Sequence, residues 1–139
     1  MTAKECVFCA IVDGRAPAHV VVDAPEAVAF LDTHPLFKGH LLVVPRVHVV
    51  TLPELSPAQV GAVFGVVQRC ASAVVAGLGA QGSFVAQNNV VSQAVPHVHV
   101  HVVPRTKGDG LRGFFWPRVK YADDAEMADY AARLRAILA

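Results

Sequence analysis

Three histidines alternate with valines in the segment 97–103, and Pro104 and Arg105 follow it. Because successive side chains of a β-strand point to opposite faces, this alternation predicts a strand that carries His97, His99 and His101 on one face and buries its valines on the other. Side chains two residues apart on a strand lie about 6.6 Å from each other. The three imidazoles are therefore expected to converge on one small anion.

Two other interpretations of this segment remain open. The rings could lie on the solvated face of a strand without a function, although clustered polar residues more often mark a site. Alternatively, neutral imidazole is the commonest transition-metal ligand, so a His-x-His-x-His segment could bind a metal through at least one of its rings.

The remaining segments predict four more strands and three helices. Runs of β-branched and apolar residues indicate strands at 20–22, 28–31, 40–44 and 83–86, with Pro45 and Pro104 each expected to end a strand. Residues 6–12 indicate one or two helical turns, and Asp123 and Asp124 are expected to cap a final helix over 123–138.

The clearest helix spans residues 56–78. Ser56, Pro57 and Gln59 form a capping box, and Gly77 and Gly79 are expected to stop the helix. Apolar residues at helical spacing predict a core-facing stripe: Val60, Val63, Phe64, Val67, Ala71, Val74, Val75 and Leu78.

Composition limits the class of protein. A chain of 139 residues that is 54% apolar predicts one domain with a substantial core. The formal net charge of +1 argues against a general nucleic-acid or membrane-surface protein. No signal-like segment opens the chain and the longest apolar run is too short to span a bilayer, so we expect a cytoplasmic protein. Three cysteines, two of them in a Cys-x-x-Cys pair, favour a metal or thiol role over disulfides.

The motifs resemble the histidine triad (HIT) family, nucleotide hydrolases and transferases that act at the α-phosphate. Residues 97–103 match every position of its His-φ-His-φ-His-φ-φ signature, where φ is apolar. Residues 6–11, 29–32, 39–46 and His48 follow in the order and spacing of family members. The resemblance covers about residues 6–105 of the chain.

The resemblance implies an α+β, HIT-like fold in one domain over residues 1–139. The core, 6–105, would hold an antiparallel sheet of about five strands with the long helix packed on it. A basic aromatic loop, 106–120, and the C-terminal helix would follow, the loop being either an ordinary solvated loop or a lid that attracts anions. A homodimer is also implied, in agreement with Gly61 and Gly65, whose missing side chains allow another element to approach closely.

The resemblance also implies roles for single residues. His99 is the expected nucleophile, which forms a covalent nucleotidyl-histidine intermediate. His101 and His40 are expected to face the phosphate. Gln93 keeps the family spacing and is expected to belong to the catalytic residues. Asp32 is expected to bind the ribose hydroxyls. Four apolar residues are expected to surround a purine base, with a plain place in the core as the alternative: Val7, Phe8, Ile11 and Phe30. In the phosphate-binding loop, either Asn88 or Asn89 is expected to contact the phosphate.

A structural zinc ion is the expected cofactor, and no organic cofactor is expected. The spacing of Cys6 and Cys9 lets both thiolates reach one tetrahedral ion. The resemblance implies His48 and His97 as the other two ligands. The alternative is a pair of reduced thiols with His48 in a loop.

The last triad residue and two departures from the family pattern bear on the reaction. His101, where family transferases have glutamine, resembles the hydrolases of nucleoside phosphoramidates and dinucleoside polyphosphates, and this favours water as the acceptor. Ala94 replaces the usual serine or threonine that aids the leaving group, and the loop at 87–93 is about two residues short. A weakly catalytic or non-catalytic nucleotide sensor, a nucleotidyltransferase or phosphorylase, and a DNA-adenylate hydrolase remain as alternatives, although the last needs a broad basic surface.

Overall fold

The computed structural model describes residues 2–111 and 118–138. The chain divides into two compact units, Met1–Asp109 and Gly110–Ala139, which are described separately. The expected single domain over 1–139 stays a prediction. The expected lid, the basic aromatic loop 106–120, includes residues 112–117, which lie outside the described residues.

Five antiparallel strands form one sheet, as expected from the sequence. The strands are β1 (Val20–Asp23), β2 (Ala27–Leu31), β3 (Leu41–Pro45), β4 (Gly82–Ala86) and β5 (Val100–Arg105), in the spatial order β1-β2-β3-β5-β4. β5, which contains His101 and directly follows the other two triad histidines, therefore lies inside the sheet, between β3 and β4.

Two helices cover opposite faces of this sheet. The long helix α2 (Pro57–Leu78) packs its buried residues on the face formed by Ala29, Val43 and Val102. The short helix α1 (Val7–Val12) buries Phe8 against the other face, where Phe30 and Leu42 lie. Short 3₁₀ turns precede α1 and α2. Because His101 pairs with Leu42, it lies on the α1 face of the sheet.

The cap of α2 is the one that the sequence predicts. The Ser56 hydroxyl accepts a hydrogen bond from the Gln59 N–H, and the Gln59 side chain accepts one from the Ser56 N–H. Gly79 ends the helix at a φ of 73°, in the left-handed region that glycine adopts without strain. Gly77 lies inside the helix, so it does not help to stop it.

The stripe of α2 that faces the core differs from the predicted one. Val63, Val67 and Val74 are buried as expected, but Phe64, Val75 and Leu78 are exposed. Their places are taken by Val66 and Cys70. The buried stripe of α2 is thus rotated around the helix by about one residue from the predicted stripe. A prediction based on apolar spacings of three or four residues does not resolve so small a rotation.

By length and composition alone, α2 is the one helix in the described part of the chain that could cross a membrane, with a mean hydropathy of 1.5. The core helix of a globular domain passes the same test. Its apolar residues here include the buried stripe that packs on the sheet.

The histidine-bearing strand begins three residues later than predicted. It was expected to start at His97, but β5 starts at Val100. Continued pairing would bring Val98 opposite Pro45, which has no N–H to donate to the ladder. Val98 instead donates its N–H to the Val49 carbonyl at 2.8 Å.

Pro104 does not end β5, so the prediction that both prolines end their strands is wrong. β5 continues to Arg105, which pairs with Gly82 of β4. The pairing with β3 stops at Val102, so one side of the strand carries no ladder at Pro104. A proline is tolerated at such a position.

The second unit contains helix α3 (Asp124–Leu138). The Asp123 carboxylate accepts a hydrogen bond from the Glu126 N–H at 2.8 Å and so caps the helix start, as predicted. Arg133 pairs with Asp129 one turn earlier and lies over the Tyr130 ring.

Candidate active site

The His99 ring is fixed in one orientation and one tautomer. Its side chain is buried, and its Nδ1–H donates to the backbone carbonyl of His97 at 2.7 Å. Phe8 packs edge-on against the ring, with 5.0 Å between centroids. Since Nδ1 carries the hydrogen of the neutral ring, Nε2 holds a free lone pair. This nitrogen has the electronic state that a nucleophile requires.

A chain of hydrogen bonds fixes the tautomer of His101. The Leu36 N–H donates to His40 Nδ1 at 3.0 Å, which leaves the ring hydrogen of neutral His40 on Nε2. His40 Nε2–H then donates to His101 Nδ1 at 2.9 Å. His101 must therefore carry its own hydrogen on Nε2, where it can be donated to a ligand. The Leu36 N–H, which acts through His40, thus fixes which nitrogen of His101 carries the hydrogen.

Burial keeps the His40 and His101 rings neutral. It lowers the pKa of His40, although the nearby Asp32 opposes the effect. Burial, together with the neighbouring His99 and His40, lowers the pKa of His101 from 6.5 to about 4. Both rings are neutral at physiological pH, as the tautomer chain requires.

His99 and His101 line a cavity of about 580 Å³ on the α1 face of the sheet. This volume is in the range of pockets that bind small molecules. All four apolar residues expected at the base line it: Val7, Phe8, Ile11 and Phe30. Phe8 and Phe30 meet edge to face with 5.6 Å between centroids. The wall is thus mainly aromatic and aliphatic, with a few polar side chains.

Asp32 lines the same cavity and is held at both its backbone and its side chain. Its N–H donates to the His40 carbonyl at 2.9 Å, and its Oδ1 accepts the N–H of His34 at 2.9 Å. Its Oδ2 lies 3.6 Å from His40 Nε2. The carboxylate is therefore positioned before any ligand binds.

Gln93, Asn88 and Asn89 are not among the described residues that line the cavity. Gln93 bridges the loop to the adjacent segment, accepting the Val90 N–H at 2.9 Å and donating to the Val50 carbonyl at 2.6 Å. All three side chains form hydrogen bonds within or beside the loop. Their expected catalytic and phosphate-binding roles stay predictions.

The loop of residues 87–93 is strained. Val90 and Ser92 adopt φ angles of 68° and 61°, a left-handed conformation that is costly for a β-branched residue. Asn89 helps to hold this shape, since its Oδ1 accepts the Leu52 N–H at 2.8 Å, and the Asn88 amide donates to the Ser92 carbonyl.

Cys6, Cys9, His48 and His97 bring their ligand atoms together, all within 4.8 Å of one another. Three sulfur-to-nitrogen distances in the cluster are 3.3, 3.4 and 3.5 Å. Ligands of a tetrahedral zinc ion, with Zn–S of about 2.3 Å and Zn–N of about 2.0–2.1 Å, are expected about 3.6 Å apart. The four residues therefore fit zinc in chemistry and in spacing.

The surroundings of this cluster also suit a metal. His97 Nε2–H donates to the Pro45 carbonyl at 2.8 Å, which leaves Nδ1 free to face the sulfurs and fixes the ring as metal ligands usually are. The Cys9 N–H donates to Cys6 Sγ at 3.4 Å. Burial and the neighbouring Cys6 raise the pKa of the Cys9 thiol to about 11 without a metal.

The three triad rings do not converge on one point, contrary to the first expectation. Both nitrogens of His97 are engaged, one at the Pro45 carbonyl and one at the cysteines, and the ring is fully buried. Only His99 and His101 line the cavity. His97 and His99 both pack against Phe8 and so share one face, but His97 lies at the cysteines and His99 at the cavity.

A second group, Asp32, His40 and His101, also brings three potential ligand atoms within 4.8 Å. Binding a cation through His40 Nε2 would move the ring hydrogen to Nδ1, where the Leu36 N–H already donates. Two donors would then face each other. This geometry favours a hydrogen-bonded chain over a metal site.

Several residues of the site were not singled out in the sequence. Thr33 and His34 line the cavity next to Asp32, and Val95 lines it together with Ala94, which the sequence did single out. Residues 16–18, Leu31 and Leu42 complete its wall. Their position beside recognised motif residues was the available signal. The role of Leu36 is that of its backbone N–H, which no side-chain pattern reveals.

Comparison with known proteins agrees with this geometry. The family model described as HIT domain matches residues 13–108. Adenosine 5′-monophosphoramidase hnt1 of Schizosaccharomyces pombe is 34% identical over 114 residues, 81% of this chain and 83% of the relative. Adenylylsulfatase HINT3 of Arabidopsis thaliana is 34% identical over 110 residues, 78% of this chain and 56% of the relative.

A solved structure shows the same fold. It is a zinc-bound histidine triad family protein from Mycobacterium smegmatis, with 36% sequence identity and a TM-score of 0.75. The alignment covers 98% of this chain and 99% of that protein.

Proposed function

This chain belongs to the histidine triad (HIT) family, and on that premise we propose that it hydrolyses nucleotides at the α-phosphate through a covalent nucleotidyl-histidine intermediate. Two relatives, each 34% identical over the aligned residues, are named adenylylsulfatase and adenosine 5′-monophosphoramidase. A purine nucleotide or dinucleotide is the proposed substrate.

The observation that carries the proposal is the tautomer of His99. Its Nδ1–H bond to the His97 carbonyl leaves the Nε2 lone pair on a buried ring that lines the cavity. A neutral imidazole in this state attacks phosphorus without first losing a proton. The N–P bond forms as the bond from phosphorus to the leaving group breaks, and water then cleaves the N–P bond in a second displacement.

His101 acts in this mechanism as a hydrogen-bond donor to the phosphate. Its Nε2–H is held in place by the chain from Leu36 through His40, so it needs no rearrangement when charge develops on the phosphate oxygens. Donors that are fixed in this way stabilise transition states better than solvent does. His40 acts through His101, because both of its ring nitrogens bond to protein groups. Asp32 would accept hydrogen bonds from the ribose, and the aromatic wall would enclose the base.

We propose a structural zinc ion at Cys6, Cys9, His48 and His97. A set of four protein ligands leaves no open coordination position, so a bound ion would stabilise the fold and take no part in the chemistry. Cys6 and Cys9 belong to the N-terminal helix region and His97 precedes β5, so the ligand set joins the start of the chain to the triad segment.

The substitution His99→Ala tests the proposed function. The variant is expected to bind nucleoside monophosphate nearly as the wild type does, since His99 supplies no contact to base or ribose, and to lose hydrolysis by several orders of magnitude. Retention of more than about a tenth of the wild-type rate, a change of only ~1.4 kcal/mol in the barrier, would contradict the assignment. A wild-type protein that binds the nucleotide but does not turn it over would instead be a sensor.

A further inference from the structure

Few side chains of the cavity wall are polar. Of the sixteen described residues that line it, five have polar side chains: Asp32, Thr33, His34, His99 and His101. Ala94 and Val95, which lie close before the triad in the chain, contribute only methyl groups. Among the described residues, the segment that directly precedes the triad therefore brings no proton-donating side chain to the cavity wall.

None of these five side chains is well suited to protonate a leaving group. His99 is the nucleophile, and the carboxylate of Asp32 is an acceptor. His101 has a hydrogen on Nε2, but the ring is neutral, as the lowered pKa of about 4 requires. A neutral imidazole donates a hydrogen bond well and gives up its proton very poorly.

Thr33 and His34 lie on the side of Asp32. The Thr33 hydroxyl and His34 Nδ1 are 3.1 Å apart, and the His34 N–H is bonded to Asp32. These two residues therefore border the part of the cavity that is proposed to hold the ribose. Because they adjoin Asp32 and are distant in the chain from Ala94, we assign them to the nucleoside side of the cavity.

We propose that the substrates of this cavity are mixed anhydrides of a nucleoside 5′-monophosphate with a strong acid, sulfate or polyphosphate, and that phosphoramidates of simple amines are turned over poorly. This inference rests on the proposed function. When His99 Nε2 attacks, the electron pair of the breaking bond stays on the leaving group, which departs as an anion. Water then supplies the hydroxyl of the released nucleotide, and its proton is released to solvent.

The names of the two relatives differ in this respect. Sulfate leaves as a stable anion without a proton, whereas an amine must be protonated to leave. The names adenylylsulfatase and phosphoramidase thus stand for the two kinds of leaving group. The apolar wall at Ala94 and Val95 favours the first kind for this chain.

The test measures kcat/KM for a series of adenosine 5′-monophosphate derivatives that differ only in the leaving group. The series runs from adenosine 5′-phosphosulfate through aryl phosphodiesters to N-alkyl phosphoramidates. We expect the rate of the wild type to fall steeply as the pKa of the leaving group rises. The variant Ala94→Ser should flatten this slope, raising the rate for amidates relative to the sulfate by up to about 10²-fold, as a positioned proton donor can. Ala94 is exposed, so the hydroxyl disturbs no core packing.

Ala16→Ser is the matched control, because it adds the same hydroxyl elsewhere on the cavity wall. It should leave the slope unchanged. A shallow slope in the wild type would overturn the inference, and if that slope became steep in His34→Gln, His34 would be the proton donor. An unaltered slope in Ala94→Ser would also overturn it. If no compound in the series is hydrolysed, or if His99→Ala is as fast as the wild type, the proposed function itself fails.

Discussion

His40 Nε2 lies 2.9 Å from His101 Nδ1, and a backbone N–H holds the other nitrogen of His40. Through this pair the fixed Leu36 N–H keeps the hydrogen of His101 on Nε2, where it faces the cavity as a donor. A histidine that bonds only to protein groups can thus be essential to a reaction without a contact to the substrate.

The variants His40→Gln and His40→Ala test this relation. Glutamine can still donate an N–H to His101, whereas alanine cannot. We expect His40→Ala to lower kcat by about 10²-fold, as the loss of one oriented donor does, and His40→Gln to recover part of that loss with little change in KM. ¹⁵N chemical shifts of His101 supply the structural measurement. The ring should be in the Nε2–H form in the wild type and in the glutamine variant, and a mixture in the alanine variant. The same tautomer in all three proteins would contradict this account.

The neutral state of His101 predicts how stability depends on pH. Its pKa is 6.5 in an unfolded chain and about 4 in the folded protein, because of burial and the neighbouring His99 and His40. Between these values the unfolded chain binds a proton that the folded chain does not. The free energy of unfolding therefore falls as the pH drops from 6.5 to 4, by at most about 3 kcal/mol from this group.

Urea unfolding of the wild type and of His101→Gln at pH 7.5, 5.5 and 4.5 isolates this contribution. The variant lacks the titrating ring, while the carboxylates and other histidines titrate in both proteins. The stability of the wild type relative to the variant should therefore decrease with acidity. A constant difference across the three pH values would mean that His101 is not held neutral by the fold.

The proposed zinc ion predicts a metal content near one per chain in protein purified without chelators. Cys9→Ser should lose this metal and melt at a lower temperature, by roughly 5 °C or more, which corresponds to about 1–2 kcal/mol for a chain of this size. Cys70→Ser is the control, because Cys70 is buried in the α2 core and belongs to no metal cluster among the described residues. Zinc well below one per chain in the wild type, or equal zinc in both variants, would count against the site.

The expected homodimer can be tested at the outer face of α2. A Cβ atom built at Gly61 or Gly65 meets nothing within 4 Å in the described chain, so this face is open for a second copy. Gly65→Leu should therefore dissociate the dimer while leaving the monomer folded, since leucine favours the helix by about 1 kcal/mol relative to glycine. Sedimentation equilibrium gives the result. A monomeric wild type at micromolar concentration would refute the dimer, and a dimeric variant would refute this face.

The sequence alone predicted the elements whose signals are local. The capping box of α2, the glycine at its end and the five strands follow from short-range patterns, and the structure contains them. The position of β5 was missed because its start depends on Pro45, a residue of another strand. The prediction that Pro104 ends a strand is wrong because a sequence does not show which side of a strand lacks a neighbour.

The site was predictable to the extent that it rests on motif residues. Cys6, Cys9, His48 and His97 lie together as the resemblance implies. The resemblance already implied the division of the triad, with His97 at the metal site and His99 and His101 at the phosphate, whereas the alternation of side chains alone suggested one shared centre. Gln93, Asn88 and Asn89 form hydrogen bonds within and beside a strained loop, whose backbone conformation sequence patterns do not encode. Their expected catalytic and phosphate-binding roles stay predictions.

The central claim is that His99 becomes covalently attached to the nucleotide, and mass spectrometry of quenched reactions tests it most directly. Wild-type protein is mixed with adenosine 5′-phosphosulfate, stopped in alkali within milliseconds and digested, because a phosphorus–nitrogen bond to histidine survives in base. The account predicts an adenylyl group on the peptide that contains residue 99, localised to His99, which appears and decays at rates that match turnover and is absent from His99→Ala. Turnover without any adduct, or an adduct on another residue such as His101, would contradict it.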